Sequence, residues 1–331
     1  MSVDPKHLQI LFESFGSKDD KTFVRAAEAI IERELAANHH GFANALRHAL
    51  NGNAQVANTS QRVRELSVMP RDRRSGEDLL WLAEAQAGLE GLVLGREQNR
   101  AISRFLLEQR SRSRLRAHGL DPMNRLLFWG PPGNGKSATA SALGFELGLP
   151  LATIRIDSII SSFLGDTASH LNRVFAQAAS TPMVLLFDEV DSLAKRRDDP
   201  RDVGELKRVV NALIQLIDRS AHSQSIFVAA SNHQQLLDPA IWRRFDTVIE
   251  FPMPAEGQRL DLIKRLLRDI RYKGDIRPVV RASNGLSFAE IERAVKVSLK
   301  SMVIEERERL EAAEISAALL ERKKGLKKAR N

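Results

Sequence analysis

A glycine-rich octapeptide at residues 130–137 narrows the folds that this chain can adopt. It matches the pattern G-x-x-x-x-G-K-[ST] and lies between two segments of contrasting composition. Leu126 to Trp129 is a short apolar run typical of a buried strand, and the stretch from Ala138 to Leu143 is typical of a helix. Glycines at such a turn let the backbone curl closely around an anion, and free N–H groups of the helix N-terminus point at it. The sequence therefore predicts a phosphate-binding turn in an α/β fold.

The same turn predicts which side chains hold the ligand. Lys136 is expected to reach the outer phosphates of a nucleotide, and the hydroxyl of Ser137 is expected to enter the shell of a bound Mg²⁺. The alternative is a glycine turn that contains a lysine by chance, and the match of the whole pattern in this context disfavours it. The residues predicted to bind the nucleotide are Gly130, Pro131, Pro132, Gly133, Asn134, Gly135, Lys136, Ser137 and Ala138.

A second buried strand is predicted at Met183 to Phe187, about 50 residues after the glycine turn, and it ends in Asp188 and Glu189. Asp188 is expected to hold the Mg²⁺ together with Ser137, and Glu189 to polarise the water that attacks the γ-phosphoryl group. A strand-end acidic pair often does no more than begin a solvated loop. Its position after a phosphate-binding turn favours the catalytic interpretation.

A third apolar strand, Ile226 to Ala230, ends at Ser231 and Asn232, and the side chain of Asn232 could orient the attacking water. Arg243 and Arg244 follow on a short turn before the next predicted strand. Guanidinium groups suit the charge that spreads over γ-phosphate oxygens, and an arginine from a neighbouring subunit can supply it. An arginine pair in isolation is more often a solvated surface feature, but the order of the motifs favours a catalytic pair.

Taken in order, these motifs closely resemble the AAA family of ring-forming ATPases within the AAA+ superfamily, and the resemblance runs from about Leu92 to Val303. It implies that ATP and Mg²⁺ are the cofactors and that the enzyme hydrolyses ATP. The segment 238–245 looks most like the katanin and spastin branch, which remodels protein assemblies. The match departs at 286–289, which leaves contacts between a lid and the nucleotide open. Val93 and Leu94 occupy the place where family members pack adenine, although an ordinary core contact would explain them equally.

The resemblance implies an α/β fold with a parallel five-stranded sheet flanked by helices, a C-terminal helical lid and a small N-terminal all-helical domain. We predict an N-terminal helical domain at 1–52, a linker at 53–78, an ATPase core with preceding helices at 79–254, and a lid with a basic tail at 255–331. The preceding helices are expected around Leu79–Leu89 and Arg96–Gly119.

The triplet Phe163, Leu164 and Gly165 follows the predicted strand 151–155 and resembles the first pore loop of AAA protein translocases. In those proteins an aromatic side chain from each subunit grips an extended polypeptide. Such a grip tolerates many sequences, because it depends on contact area and needs no particular hydrogen-bond partner. Phe163 could instead be a core residue beneath the following helix.

The N-terminal unit is expected to serve recognition of a substrate or partner. Asp20 can cap a second helix there, and Phe42 to Leu50 marks a third. The unit faintly resembles a small domain of bacterial AAA proteins that accompany a subtilisin-like peptidase. An adaptor or peptidase partner is therefore expected to dock through residues 1–52.

The chain carries 50 Lys and Arg against 42 Asp and Glu, for a net charge of +8, and this excess raises a second class of function. A nucleic-acid-remodelling ATPase, or an accessory ATPase of transposition or replication, could use its basic clusters to attract phosphate backbones. A solvated helix and a solvated tail are the plainer interpretation of both clusters. The clustered residues are Arg110, Arg112, Arg114 and Arg116, and then Arg322, Lys323, Lys324, Lys327, Lys328 and Arg330.

The absence of cysteine excludes a disulfide framework and thiol chemistry, and no apolar run of ~20 residues is present to span a bilayer. We expect a cytoplasmic ATPase, with no membrane partner, that forms a homo-hexameric ring. It would unfold or disassemble proteins by threading polypeptide through a pore lined by Phe163.

Overall fold

The computed structural model describes residues 5–17, 19–36, 70, 78–83, 87–155, 167–191, 203–233, 235 and 242–330. The chain divides into two compact units, Met1–Glu65 and Leu66–Asn331, and the division falls inside the segment predicted as a linker. The larger unit contains the glycine turn, and the order of its elements explains how the motifs come together.

A six-stranded sheet forms the centre of the larger unit, with the strand order β1-β3-β4-β5-β2-β6. The strands are β1 (Leu80–Ala83), β2 (Arg125–Trp129), β3 (Leu151–Ile154), β4 (Val184–Phe187), β5 (Ile226–Ser231) and β6 (Thr247–Glu250). Every neighbouring pair is parallel except β1 and β3, which are antiparallel. The carboxyl ends of β2, β4 and β5 therefore lie at one edge of the sheet, where ligands of open α/β sheets bind.

Helices cover both faces of the sheet, and the strands are accordingly apolar on both sides. The helices are α3 (Arg96–Arg110), α4 (Arg112–Ala117), α5 (Lys136–Leu147), α6 (Thr167–Ser180) and α7 (Val203–Arg219). Leu126 and Phe128 of β2 belong to the core beneath α3 and α5, whereas Leu127 belongs to the core beneath α6 and α7. Successive side chains of β2 thus point to opposite faces of the sheet and belong to the two cores in turn. The glycine turn begins at the end of this strand.

A helical subdomain, which contains α8 (Glu256–Leu266), α9 (Ile276–Ala282), α10 (Phe288–Ile304) and α11 (Ala312–Arg330), follows β6. A short parallel pair, β7 (Tyr272–Lys273) and β8 (Leu310–Glu311), links its connections. The subdomain has its own core, which includes Ile263, Val280, Ile291 and Ile315. These elements lie in the segment predicted as a lid.

The predicted α/β fold with flanking helices is confirmed, with two differences. The sheet has six strands instead of five, because β1 is added antiparallel at one edge. The helix predicted at Leu79–Leu89 is wrong, since Leu80–Ala83 forms β1 and a short 3₁₀ turn follows at Leu89–Gly91. Leu79 and Leu80 are buried in the core beside β3, so burial and strand pairing override the helical propensity of this leucine- and alanine-rich segment.

In the smaller unit the described residues form α1 (Pro5–Ser17) and α2 (Asp20–Ala36), which pack together with Phe15 close to Phe23. The cap of α2 is Asp19 and not Asp20, because the Asp19 carboxylate accepts hydrogen bonds from the backbone N–H and hydroxyl of Thr22. The third helix predicted around Phe42 to Leu50 lies outside the described residues. Among the described helices, none is both long and apolar enough to cross a membrane.

Candidate nucleotide site

Three glycines of the turn that follows β2, Gly130, Gly133 and Gly135, have a positive φ, and at the first two the surroundings also leave no space for a Cβ atom. Gly130 has a φ of 138°, and a Cβ atom there would lie 2.2 Å from the carbonyl oxygen of Phe251. Gly133 has a φ of 76°, and a Cβ atom there would lie 2.7 Å from Oγ of Ser287 at the start of α10. The backbone N–H of Ala289 donates to the carbonyl of Gly133 at 3.0 Å. The turn therefore contacts the helical subdomain closely, and a larger side chain would separate them.

Lys136 opens α5, and its ammonium group lies inside the turn. Its Nζ donates to the carbonyl of Gly130 at 2.6 Å and to that of Pro131 at 3.0 Å. The side chain is buried, and this burial lowers the pKa of Lys136 below its usual value, although the carboxylates of Asp188, Asp191 and Glu189 oppose the shift. A cation held in this way, among backbone groups and close to carboxylates, is placed to receive phosphate oxygens.

Ser137 and Asp188 come together at the sheet edge from positions far apart in the sequence. The hydroxyl of Ser137 donates to Oδ2 of Asp188 at 2.6 Å. A hydroxyl and a carboxylate at this separation are the protein ligands that Mg²⁺ takes beside a nucleotide. No cluster of three or more His, Cys, Asp or Glu side chains in the described part of the chain could hold a metal by itself. A metal here would therefore need phosphate oxygens and water to complete its shell, which is the usual arrangement for Mg²⁺.

Glu189 has a left-handed backbone, with a φ of 52°, which is uncommon for a residue other than glycine. The residues beside it hold it there: Oδ1 of Asp188 accepts the N–H of Glu189 at 3.0 Å, and the N–H of Val190 donates to the carbonyl of Ala230 on β5 at 3.0 Å. The Glu189 side chain is exposed, whereas Val190 is buried. The Glu189 side chain is therefore exposed at the end of β4, while the backbone of Val190 is hydrogen-bonded to β5.

Asn232 follows β5, and a buried carboxylate holds its backbone. Its N–H donates to Oδ1 of Asp191 at 3.0 Å, and the hydroxyl of Ser231 lies 3.3 Å from the same oxygen. Asp191 is 2% exposed. Sequence reasoning missed Asp191, although its place three residues after Asp188, within the Asp-Glu-Val-Asp tetrapeptide, was a signal that could have found it.

One cavity of about 400 Å³ brings most of the predicted residues together. This volume lies within the range of roughly 300–1,000 Å³ found for small-molecule sites. Its wall also includes Leu262 and Glu292 of the helical subdomain, which sequence reasoning missed. Phe288 and Ala289, from the segment whose contacts the sequence left open, line it as well. The remaining lining is Gly91, Leu92, Val93, Leu94, Pro132, Gly133, Asn134, Gly135, Lys136, Ser137, Ala138, Asp188, Glu189 and Asn232.

The cavity fits a Mg²⁺ nucleotide by its chemistry as well as by its size. Lys136, the glycine turn and the Ser137–Asp188 pair lie at one end, where phosphates and a metal would bind. The apolar side chains of Val93, Leu94 and Leu262 line the wall and could contact a base. In the turn itself, Oδ1 of Asn134 is buried without a hydrogen-bond partner.

The two arginines predicted to act in catalysis do not line this cavity. Both Arg243 and Arg244 are exposed, and Nη1 of Arg244 lies 3.3 Å from Oδ2 of Asp218 at the end of α7. The preceding Trp242 packs edge-on against Trp129, the last residue of β2, with ring centroids 6.2 Å apart. The arginines therefore follow a tryptophan that is packed against the end of β2, and they do not line the nucleotide cavity of their own chain. The pore-loop triplet Phe163–Gly165 lies outside the described residues.

A mostly parallel sheet with a glycine turn after one strand, a lysine inside that turn and a serine–aspartate pair beside it defines a P-loop nucleoside triphosphatase. Comparison with known proteins identifies the family. Residues 126–253 match the family model described as "ATPase family associated with various cellular activities (AAA)".

Two relatives illustrate the match. The chain is 35% identical over 309 residues to an uncharacterized AAA family ATPase, y4kL, of Sinorhizobium fredii, which covers 93% of this chain and 92% of that protein. It is 32% identical over 202 residues to a protein of Methanothermobacter marburgensis named as a 26S proteasome regulatory subunit homolog, covering 60% of this chain and 54% of that protein. The chain belongs to the AAA family of ATPases, and it hydrolyses ATP.

Proposed function

We propose that this ATPase assembles as a ring, with a hexamer as the expected form, and uses ATP hydrolysis to unfold or disassemble protein substrates in the cytoplasm. The observation that carries the proposal is the separation of its catalytic parts. Lys136, Asp188 and Glu189 line the cavity, whereas Arg243 and Arg244 are exposed and do not line it. An active site completed by a neighbouring copy explains this separation, because it supplies arginine to a cavity that lacks it.

Each residue of the cavity has a distinct role in the proposed hydrolysis. Lys136 and the backbone of the turn bind the phosphates, and Ser137 with Asp188 would hold Mg²⁺, which neutralises phosphate charge when bound. Glu189 accepts a proton from the attacking water, and Asn232 orients that water. The paired arginines of the next subunit stabilise the charge of the transition state.

Two observations support a protein substrate. The triplet Phe163, Leu164 and Gly165 resembles the pore loop of protein translocases. In addition, a relative from Methanocaldococcus jannaschii is also named as a 26S proteasome regulatory subunit homolog; it is 27% identical over 69% of this chain and 62% of that protein. An aromatic ring at the pore would grip polypeptide by area alone. The katanin and spastin branch and the peptidase-associated N-terminal domain stay predictions.

The nucleic-acid alternative is weakened by what the basic residues contact. In the cluster before β2, Arg112 and Arg116 donate to the backbone carbonyls of Gln224 and His222, and Arg110 lies 3.7 Å from a carboxylate oxygen of Glu146. These three guanidinium groups are therefore engaged by contacts within the chain. An open phosphate-binding surface would need them free.

The basic tail is engaged in a similar way. Arg322 forms a two-pronged ion pair with Glu290 on α10, and Nζ of Lys323 donates to the carbonyl of Asn284 at 2.8 Å. Among the described side chains of this tail, Lys324, Lys327 and Lys328 are exposed and could attract nucleic acid.

A titration of the ATPase rate with an unfolded polypeptide, and in parallel with DNA and RNA, tests the proposal. We expect polypeptide to stimulate hydrolysis by wild-type rings and nucleic acid to have no effect. Phe163→Ala should lose the stimulation and keep the basal rate, because its aromatic ring grips the substrate and takes no part in the chemistry. Rings should be sized by light scattering so that rates are compared at equal assembly.

Matched variants sharpen this test. Phe163→Tyr keeps an aromatic ring and should keep the stimulation. A triple change of Lys324, Lys327 and Lys328 to Glu reverses the charge of three exposed lysines of the tail and should leave the response to polypeptide unchanged. Stimulation by nucleic acid alone, insensitive to Phe163 and lost in the triple variant or at higher salt, would establish the alternative function.

A further inference from the structure

Asp191 lies where β4 and β5 end, two residues after Glu189 in the sequence and in contact with the backbone of Asn232. It is 2% exposed, and its Oδ1 accepts the backbone N–H of Asn232 at 3.0 Å. Burying a carboxylate this deeply destabilises the folded state unless hydrogen bonds satisfy it. The contacts of Asp191 at this point therefore point to a function beyond stability. Asn232 lines the nucleotide cavity, and Asp191 does not.

The same segment also fixes Glu189. After Glu189 the chain returns to the sheet. The N–H of Val190 donates to the carbonyl of Ala230 on β5, and Asp191 accepts the N–H of Asn232, the residue that follows β5. Glu189 has a left-handed φ of 52°, which persists only when the surroundings hold it. The Val190 and Asp191 contacts therefore tie the strained segment that carries Glu189 to the strand end that carries Asn232.

We propose that Asp191 is a positioning residue for ATP hydrolysis: by holding the backbone at Asn232 and closing the strained turn after Glu189, it sets the relative position of the base and the water-orienting amide. The inference rests on the roles proposed above for Glu189 and Asn232. Asp191 itself is not expected to contact nucleotide or water. Its effect should appear in the chemical step, because the phosphate-binding turn is held by backbone hydrogen bonds that do not involve the Asp191 side chain: Gly130 donates to the carbonyl of Ser231, and Ala289 donates to the carbonyl of Gly133.

The test compares Asp191→Ala with Asp191→Asn in the full-length ring. Alanine removes the acceptor and leaves the N–H of Asn232 unpaired, so kcat should fall by roughly 10- to 100-fold, as small misplacements of catalytic groups do. The Kd for a fluorescent ATP analogue with Mg²⁺ should stay within about threefold, because Lys136 and the backbone of the turn keep their own hydrogen bonds. Asparagine keeps an acceptor oxygen and should recover most of kcat.

Ser225 provides a matched control for a merely structural effect. It is fully buried at the opposite end of the same two strands, where its hydroxyl accepts the N–H of Met183 at 3.0 Å. Ser225→Ala therefore removes a hydrogen bond between the same chain segments, far from the cavity. We expect it to lower Tm as Asp191→Ala does while kcat stays near the wild-type value.

A double variant separates this inference from the proposed function. In an Asn232→Ala background, the further change Asp191→Ala should slow hydrolysis much less than Asp191→Ala slows the wild-type enzyme. Both changes disturb the same positioning of the Asn232 amide, so their effects should not add. Two results would overturn the positioning role alone. One is a wild-type kcat in Asp191→Ala; the other is an equal loss of kcat in Ser225→Ala and Asp191→Ala when both variants lose the same amount of Tm. If Asn232→Ala itself hydrolyses ATP at the wild-type rate, the proposed role of Asn232 fails as well.

Discussion

Glu189 combines a catalytic assignment with a backbone conformation that few glutamates adopt. Its φ of 52° carries a local strain, and the hydrogen bonds of its neighbours hold it in place. Strain of this kind is maintained where a side chain must point in a direction that regular structure would not give it. At Glu189 it directs an exposed carboxylate into the nucleotide cavity beside Asp188.

The first prediction concerns this residue. Glu189→Gln keeps the size of the side chain and the backbone contacts but removes the base, so kcat should fall by roughly 10²- to 10⁴-fold. ATP should remain bound, because Lys136 and the glycine turn are unchanged. The measurement is chromatography of the nucleotide retained on isolated rings, with turnover recorded on the same sample.

The control for this prediction is Glu292→Gln, which changes another glutamate of the same cavity wall. Glu292 forms an i,i+4 ion pair with Lys296 on α10 and is assigned no part in the chemistry. This variant should turn over ATP at close to the wild-type rate. Normal hydrolysis in Glu189→Gln would remove Glu189 from the mechanism.

At the scale of single residues, the sequence predicts the site residues that belong to recurring motifs. It does not predict residues whose role depends on being buried. Lys136, Ser137 and Asp188 meet in the structure as their spacing predicts, because a P-loop and a strand-end acid have fixed places on this fold. Asp191 was missed, because its place in the Asp-Glu-Val-Asp tetrapeptide marks a candidate residue but does not show that the carboxylate is buried. Its role depends on a hydrogen bond to a residue about 40 positions away.

Among the elements, α10 joins the phosphate-binding turn to the helical subdomain. Its N-terminal residue Ser287 caps the helix through a hydrogen bond from the N–H of Glu290, and the N–H of Ala289 donates to Gly133. Glu290 then pairs with Arg322 of α11. The helix α10 therefore contacts the glycine turn near its N-terminus and is joined to α11 by this ion pair.

The second prediction follows from that ion pair. The hydrogen bond from Arg322 holds the pKa of Glu290 below its usual 4.5, so the ionised form stabilises the folded state. This contribution is present above pH 4.5 and is lost as the pH falls through the lower pKa of the folded state. Glu290→Gln should have a lower Tm than the wild type at pH 7, and the difference should shrink below pH 4.5. Thermal unfolding followed by circular dichroism at several pH values measures it.

Glu292→Gln again supplies the comparison, since it breaks an exposed ion pair on the same helix. Exposed pairs contribute little, so this variant should shift Tm only slightly at any pH. A Tm difference for Glu290→Gln that is the same at pH 7 and pH 4 would contradict the assigned role of the ion pair.

Element prediction succeeded where apolar runs were long and failed where composition was ambiguous. The runs before Gly130 and Asp188 are buried strands, as their continuous apolar character indicates. The segment after Leu79 has leucines and alanines that suit a helix, yet it pairs with β3 because its leucines complete the core on that side of the sheet. Such tertiary effects cannot be read from local propensity.

In the whole molecule, the nucleotide cavity and the arginine turn belong to different surfaces. Trp242 packs against Trp129 at the end of β2, and Asp246 pairs with Arg125 at the beginning of the same strand. The turn that carries Arg243 and Arg244 is thereby fixed to the strand that leads into the chain's own phosphate-binding turn. In a ring, β2 of each subunit would connect that subunit's nucleotide site to the arginines that complete the nucleotide site of the neighbouring subunit.

The most direct test of this account is a subunit-mixing assay. One variant is Lys136→Ala, which removes the phosphate-binding lysine, and the other carries both Arg243→Ala and Arg244→Ala. Each should be nearly inactive alone, because every site lacks one of its two parts. Arg104→Ala, on the exposed face of α3, serves as the control for loss of an arginine and should remain active.

Mixed in equal amounts and sized to confirm joint rings, the two variants should recover up to about a quarter of the wild-type ATPase rate, since that fraction of random interfaces pairs an intact lysine with intact arginines. Recovery would establish that two copies of the chain build each active site. Mixed rings no more active than either parent would show that the arginines do not act across subunits, and the central claim would fall.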